Sequence, residues 1–201
     1  DIVGTKAYVG LDGRGIAVYD ITDTSNPSIL GYNNNTYGSA AHSISVVGNY
    51  AYVSYFKSGL GIVDISDPSN LTLTDRYDTA RMTDVFYESG DYAYATDSNQ
   101  GLHIFNVSNV SDIGLSATLG GFGSASSVAV SGNYAYVTDG ANGLKAIDIS
   151  DKESPTLADT FSTTANAGHV EISGNYAYVQ VGDSGLDLSL IHISEPTRHE
   201  R

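Results

Sequence analysis

Two histidines and a carboxylate are the side chains best suited to chemistry in this chain. Laid against itself at intervals of 42 residues, the sequence puts His42, Asp84 and His169 into two adjacent columns. One column reads His42, Asp84, Ser126, Gly168, and the next reads Ser43, Val85, Ser127, His169. Two imidazoles and a carboxylate that meet could hold a divalent metal. The competing expectation is a polar lining of a channel with bound water. Arg76 and Arg81 lie just before Asp84 and could clamp an acidic group, or pair with Asp78 or Asp84. Glu88 stands where other repeats carry Val46, Val130 and Ile172. Its carboxyl would titrate high if buried, but the favoured reading sends it to a strand-end rim.

Other chemistries lack their residues. There is no cysteine, which removes disulfides, thiol catalysis and thiolate metal sites. No Gly-x-Ser-x-Gly elbow is present, and no Ser–His pair lies at a useful spacing. Glycine-rich phosphate loops, metalloprotease helices and basic-aromatic stripes are absent as well. Asp64 with Asp67, or Asp148 with Asp151, could be read as calcium ligands, but the dense oxygen pattern of a known calcium loop is missing. No catalytic residue and no cofactor is therefore expected, with calcium or another divalent metal as the alternative.

Charge and hydropathy narrow the partners. Acidic residues outnumber basic ones 23 to 9, a net charge of −14, which repels a phosphate backbone and argues against nucleic acid. No apolar run approaches the roughly 18 residues of a membrane helix. Four Asn-x-Ser/Thr sequons, at Asn34, Asn70, Asn106 and Asn109, would accept glycans in an exported, glycosylated protein, and the acidic, Tyr-rich composition suits an extracellular or cell-surface setting.

The elements that position these residues repeat. Tyr-Ala-Tyr returns with its second Tyr at Tyr52, Tyr94, Tyr136 and Tyr178, steps of 42, while 44 residues separate Tyr8 from Tyr52. Within each period four short β-branched and aromatic runs are broken by Gly, Pro, Asn and Asp, which reads as all-β. Four short strands per period predict a β-propeller of four-stranded antiparallel blades, about 4.5 of them. The blades fall at about 1–36, 37–80, 81–121, 122–164 and 165–188. In the second strand the Tyr residues face one way and the Ala and Val residues the other, as a sheet covered on both faces requires. Gly59, Gly101, Gly143 and Gly185 open the third strand and suit a left-handed turn position. Asp64, Asn106 and Asp148 end it, each two residues before a Ser, and are expected to bond turn amides. The polar Asn33-Asn34-Asn35 loop is expected to hold the two extra residues.

The block Gly59-Leu60-Gly61-Ile62-Val63-Asp64-Ile65-Ser66-Asp67-Pro68, with Gly48-Asn49-Tyr50-Ala51-Tyr52-Val53 before it, resembles the LVIVD repeat. The resemblance spans about residues 1–188. It implies a β-propeller of a kind often found in exported bacterial and archaeal proteins, and it supplies no catalytic residues. Asn106 departs from the usual Asp, and Ala146 thins one third strand. From Ser189 to Arg201 the repeat is lost, and the stretch resembles a translated sequencing adapter. It is treated as a non-native tail, so His192 and His199 are set aside. The chain is expected to be part of a larger one.

The functional expectation is a non-catalytic interaction scaffold that binds protein or glycan through propeller loops. Tyr37, Tyr55, Phe56, Arg81, Asn99 and Asn142 are the loop-rim candidates. His42, Ser43, Asp84, Ser126, Ser127 and His169 are the channel-lining candidates. The alternatives are a metal-binding or enzymatic site at the channel mouth, and a purely architectural module of a surface protein.

Overall fold

The computed structural model describes residues 1–11, 15–33, 39–79, 81–87, 90–182 and 185–190. All regular elements among them are strands. Blade one comprises β1 (Ile2–Val3), β2 (Lys6–Leu11), β3 (Gly15–Asp20) and β4 (Ser28–Asn33). Blade two has β5 (Ala41–Val47), β6 (Tyr50–Tyr55), β7 (Gly59–Asp64) and β8 (Thr72–Tyr77). Blade three has β9 (Met82–Phe86), β10 (Tyr92–Asp97), β11 (Gly101–Asn106) and β12 (Gly114–Leu119). Blade four has β13 (Ala125–Ser131), β14 (Tyr134–Asp139), β15 (Leu144–Asp148) and β16 (Thr156–Phe161). Blade five has β17 (Ala167–Ser173), β18 (Tyr176–Val181) and β19 (Gly185–Leu190). Among the described residues each blade is an antiparallel meander in sequence order, with four strands in blades one to four and three in blade five. β19 pairs with β18 as far as Leu190 opposite Tyr176, two residues beyond the boundary drawn at Leu188. Residues 191–201 lie outside the described residues.

Every blade has two unlike faces, and each junction joins one kind to the other. Tyr8, Ile16 and Val18 of blade one meet Ala51, Val53, Val63 and Ile65 of blade two. Tyr52, Leu60 and Ile62 then meet Ala93, Ala95, Phe105 and Val107. Tyr94, Leu102 and Ile104 meet Ala135, Val137, Ile147 and Ile149, and Tyr136, Leu144 and Ala146 meet Ala177, Val179 and Val181. The small Ala of Tyr-Ala-Tyr lets the sheets approach, and the Tyr ring fills the space opposite. Each aliphatic side chain buried this way contributes about 1.5–3 kcal/mol. Burial also pushes the Tyr94 phenol up to about 12, helped by Tyr92.

Covered on both sides, β6 and β10 bury every residue after their first. β18 instead alternates exposed and buried, because one of its faces has no neighbour. The turns behave as their residue types require. Gly59, Gly101 and Gly143 take φ of 80°, 99° and 81°. The amides of Ser66, Ser108 and Ser150 donate to Asp64, Asn106 and Asp148 at 2.8, 3.0 and 2.9 Å. Asn106 thus serves as its Asp counterparts do.

Candidate functional site

The first strands carry a local irregularity where the candidate residues lie. Register shifts fall between Ala41 and Ser43, between Ala125 and Val128, and between Ala167 and Val170. In blade three Thr96 faces Asp84 while the next residue, Asp97, faces Met82. A bulge of this kind re-aims side chains at a strand end. Here it turns some first-strand groups toward the next blade and others outward.

The result is a chain of hydrogen bonds across three blades. Ser127 Oγ, buried, lies 2.7 Å from Asp84 Oδ2 and 3.0 Å from His169 Nδ1. An ionised carboxylate only accepts, so the Ser127 hydroxyl donates to Asp84. Its lone pairs then receive His169 Nδ1–H and, at 3.4 Å, the Val170 amide. Asp84 Oδ2 also accepts from the Val128 amide at 3.1 Å, and Oδ1 from the Val85 amide at 2.9 Å. With the proton of the neutral ring on Nδ1, Nε2 has none to give. The 3.3 Å contact from Nε2 to Glu171 Oε1 is therefore a hydrogen bond only when the imidazole is charged.

Asp84 and His169 do converge, on one hydroxyl. His42 does not join them: it is exposed and stacks on Phe56, with ring centroids 4.9 Å apart and planes 16° apart. Among the described residues no group of three His, Cys, Asp or Glu could hold a metal. A Ser–His contact exists that spacing alone missed, since its partners are 42 residues apart. Yet a nucleophilic serine must direct its hydroxyl proton at the imidazole, whereas the Ser127 hydroxyl donates its hydrogen bond to Asp84. The Ser126 hydroxyl and the Ser43 backbone are also engaged. Ser126 Oγ donates to Gly168 O at 2.8 Å, and the Ser43 amide donates to Ser54 Oγ at 2.9 Å.

The rim candidates separate. Asn99, Asn142 and Arg81 are exposed, and Phe56 is half-buried. Arg81 takes φ 60°, left-handed for a side-chain-bearing residue. Arg81 and Asp84 form no ion pair among the described residues; the Asp84 carboxylate instead accepts from Ser127 and two amides. Arg76 does bind Asp78, with Nη2 3.0 Å from Oδ2. Tyr55 is corrected outright: it is fully buried in the first inter-blade core. Its ring lies over Gly61, where an added Cβ would come within 2.7 Å of Cε2. Tyr37, Asn34 and Glu88 lie outside the described residues.

A second polar cluster went unread in the sequence. Asp139 is fully buried and accepts from the Gly123 and Ser124 amides at 2.7 Å each, from Asn142 Nδ2 at 3.1 Å and from Lys145 Nζ at 2.7 Å. Burial pushes its carboxyl up, but Lys145, the Ser124 amide and Asn142 outweigh this and hold it below the ordinary range. Lys145 also donates to Gly121 O at 2.8 Å and lies 4.4 Å over the Phe122 ring. The loop entering blade four is thereby pinned. The same column of blade three holds Asp97, whose Oδ1 accepts from the Asn99 and Gln100 amides at 2.8 and 2.9 Å. There His103 replaces the lysine and bonds Thr118 Oγ1 at 2.8 Å. Reading the column Tyr55, Asp97, Asp139, Val181 beside Gly61, His103, Lys145, Asp187 would have exposed this pairing.

Farther along the first strands a cavity of about 550 Å³ is lined by groups that include Phe86, Tyr87, Val130 and Ile172, with Asp1 and Glu171 supplying carboxylates. His42, Ser43, Asp84, Ser126, Ser127 and His169 are not among the residues that line it. Two of its lining residues join blades two and three, where Ser45 Oγ donates to Tyr87 O at 2.6 Å.

Known proteins bear on this arrangement. The family description "LVIVD repeat" matches five times, at residues 2–35, 38–79, 84–119, 122–163 and 165–199. The fold is similar to the computationally designed Ika8 protein, with TM-score 0.73 and 12% identity over 95% of this chain and 57% of that one. It is similar to the Cps50 (Swd1) beta-propeller domain of Myceliophteria thermophila, with TM-score 0.71 and 14% identity over 92% and 65%. It is also similar to a functionally unknown protein from Desulfotomaculum acetoxidans, with TM-score 0.72 and 13% identity over 88% and 59%. The chain spans less than two thirds of each of these three structures. No curated protein matches it. At such identities the likeness shows the propeller fold alone.

Proposed function

The chain belongs to the LVIVD repeat family, and from that premise we propose that it is a non-catalytic interaction scaffold. It binds protein or glycan through the loops around the channel mouth. The observation that carries this reading is the direction of the Ser127 proton. The serine–histidine contact of Ser127 with His169 is wired toward Asp84 and ties three blades together. What remains available to a partner is the rim: His42 stacked on Phe56, with Arg81, Asn99 and Asn142 exposed on neighbouring loops. These groups offer an aromatic anchor and hydrogen-bond donors on loops that Asp139 and its counterparts hold in place, a pre-organisation that favours binding. An exported or surface-attached setting belongs to the same proposal, supported by the acidic surface and by exposed Asn70 and Asn109. No helix among the described residues is long and apolar enough to cross a membrane.

The test is a binding screen of the immobilised chain against glycan and peptide panels. Ligands are expected whose binding falls at least about tenfold with Phe56→Ala or Arg81→Gly, the latter keeping the left-handed backbone. Ser127→Ala is expected to leave that binding in place. Hydrolysis of an activated ester that disappears with Ser127→Ala would overturn the scaffold reading, as would a blank result on both panels.

A further inference from the structure

At one place on the Ala/Val face the interior blades differ. In blade four it holds Asp139, with the Lys145 ammonium 2.7 Å from Oδ2. In blade two it holds the Tyr55 ring, which lies over Gly61. In blade three the same two columns carry Asp97 and His103. Asp97 pairs with Gly101 and Ala95 with His103, so alternation puts all four on one face. Asp97 and His103 are diagonal neighbours on that face, within reach of long side chains, and Gly101 puts no side chain between them. The His103 ring lies 5.8 Å from that of Phe105, which packs with Tyr52, Leu60 and Ile62 of blade two. Asp97 and His103 are 0% and 2% exposed. The seam that buries them joins two blades that each have a neighbour on either side.

Half of each side chain is already bonded. Asp97 Oδ1 accepts from the Asn99 and Gln100 amides, and His103 Nδ1 bonds Thr118 Oγ1. Asp97 Oδ2 and His103 Nε2 have no hydrogen-bond partner among the described residues. With the ring proton on Nδ1, toward Thr118, Nε2 presents a lone pair. Both atoms then need a donor. The carboxylate also needs a positive charge, because a buried charge is costly unless paired. A water meets the first need, whereas a cation with hydrogens to donate meets both.

We propose that blade three binds an ammonium ion between Asp97 Oδ2 and His103 Nε2, in the place where blade four puts the ammonium of Lys145. Its N–H groups donate to both atoms, and its charge offsets the carboxylate as Lys145 does for Asp139. Potassium is of similar size but has no hydrogen to donate to Nε2, so it binds there more weakly.

The test is the melting temperature of the full chain, near neutral pH, in ammonium, potassium or sodium chloride at equal ionic strength. Ammonium is expected to raise it saturably, by about 2–4 °C over sodium, and potassium by less. His103→Lys tethers an ammonium at the same place and is expected to lose this dependence. Nuclear magnetic resonance of the wild-type chain with isotope-labelled ammonium is expected to show a slowly exchanging signal with a cross-peak to the His103 ring. A wild-type chain indifferent to ammonium overturns the proposal and assigns the place to water. Equal stabilisation by potassium overturns it, as does a His103 ring protonated on Nε2. An ammonium effect that persists unchanged in His103→Lys overturns it as well, since that marks a general effect of the salt.

Discussion

Asp97 and His103 are the blade-three counterparts of Asp139 and Lys145, and they solve the same problem less completely. Asp97 Oδ2 and His103 Nε2 are both buried and have no hydrogen-bond partner among the described residues. An unmet buried polar atom costs about 1–3 kcal/mol. His103→Lys is therefore expected to raise stability by about 1 kcal/mol in urea denaturation, since Lys145 shows that an ammonium fits between the carboxylate and the loop. Lys145→Met is expected to lose about 3 kcal/mol by leaving Asp139 buried and uncompensated. The same pair makes stability depend on pH. Burial pushes the His103 imidazole below its ordinary value, with Asp97 opposing only in part. The unfolded chain then binds that proton more readily than the folded one. Stability is full above the unfolded histidine value of about 6.5 and declines as pH falls below it. The melting temperature is expected to drop between pH 7.5 and pH 5, and His103→Gln is expected to flatten that step.

Strands and turns were the most legible level, because a repeat averages out accidents. One hairpin read alone is ambiguous, whereas Gly-Leu returning at Gly59, Gly101, Gly143 and Gly185 is not. The glycines nevertheless differ in what they do. At Gly143 an added Cβ would lie 2.2 Å from the Phe161 carbonyl oxygen, on top of a φ of 81°. At Gly132, with φ 58°, nothing lies within 4 Å. Gly143→Ala is expected to cost about 3 kcal/mol or more, combining the left-handed penalty with the clash. Gly132→Ala is expected to cost about 1 kcal/mol from the backbone alone, and chemical denaturation separates the two. The site was harder to read for a related reason. A 42-residue column says which residues share a rung, but not which way a bulge turns them. Ser127 turns into the inter-blade seam while His42 turns out onto Phe56. Tyr55 was misplaced on the rim because its burial depends on Gly61, on another strand, having no side chain.

Across the whole molecule, stability should follow a nearest-neighbour pattern. Interior blades bury both faces and the end blades bury one, so protection is graded. Amide exchange is expected to be slowest in β6, β7, β10, β11, β14 and β15, and faster in β18 and β19. Uniform protection from blade one to blade five would contradict this and would itself point to covered ends. The matching of unlike faces at every seam also gives the sequence an editing rule. Removing residues 93–134, one full period, would join Tyr92 directly to Ala135 and bring the Tyr52 face of blade two against the Ala135 face of blade four. The apolar side chains at the new seam would all be of a kind native to it, while Asp84 would lose Ser127 and Asp139 the Gly123 and Ser124 amides. A chain built this way can lose or gain whole periods in a single recombination event without redesigning a core, so the number of blades can change while the structure of each is kept.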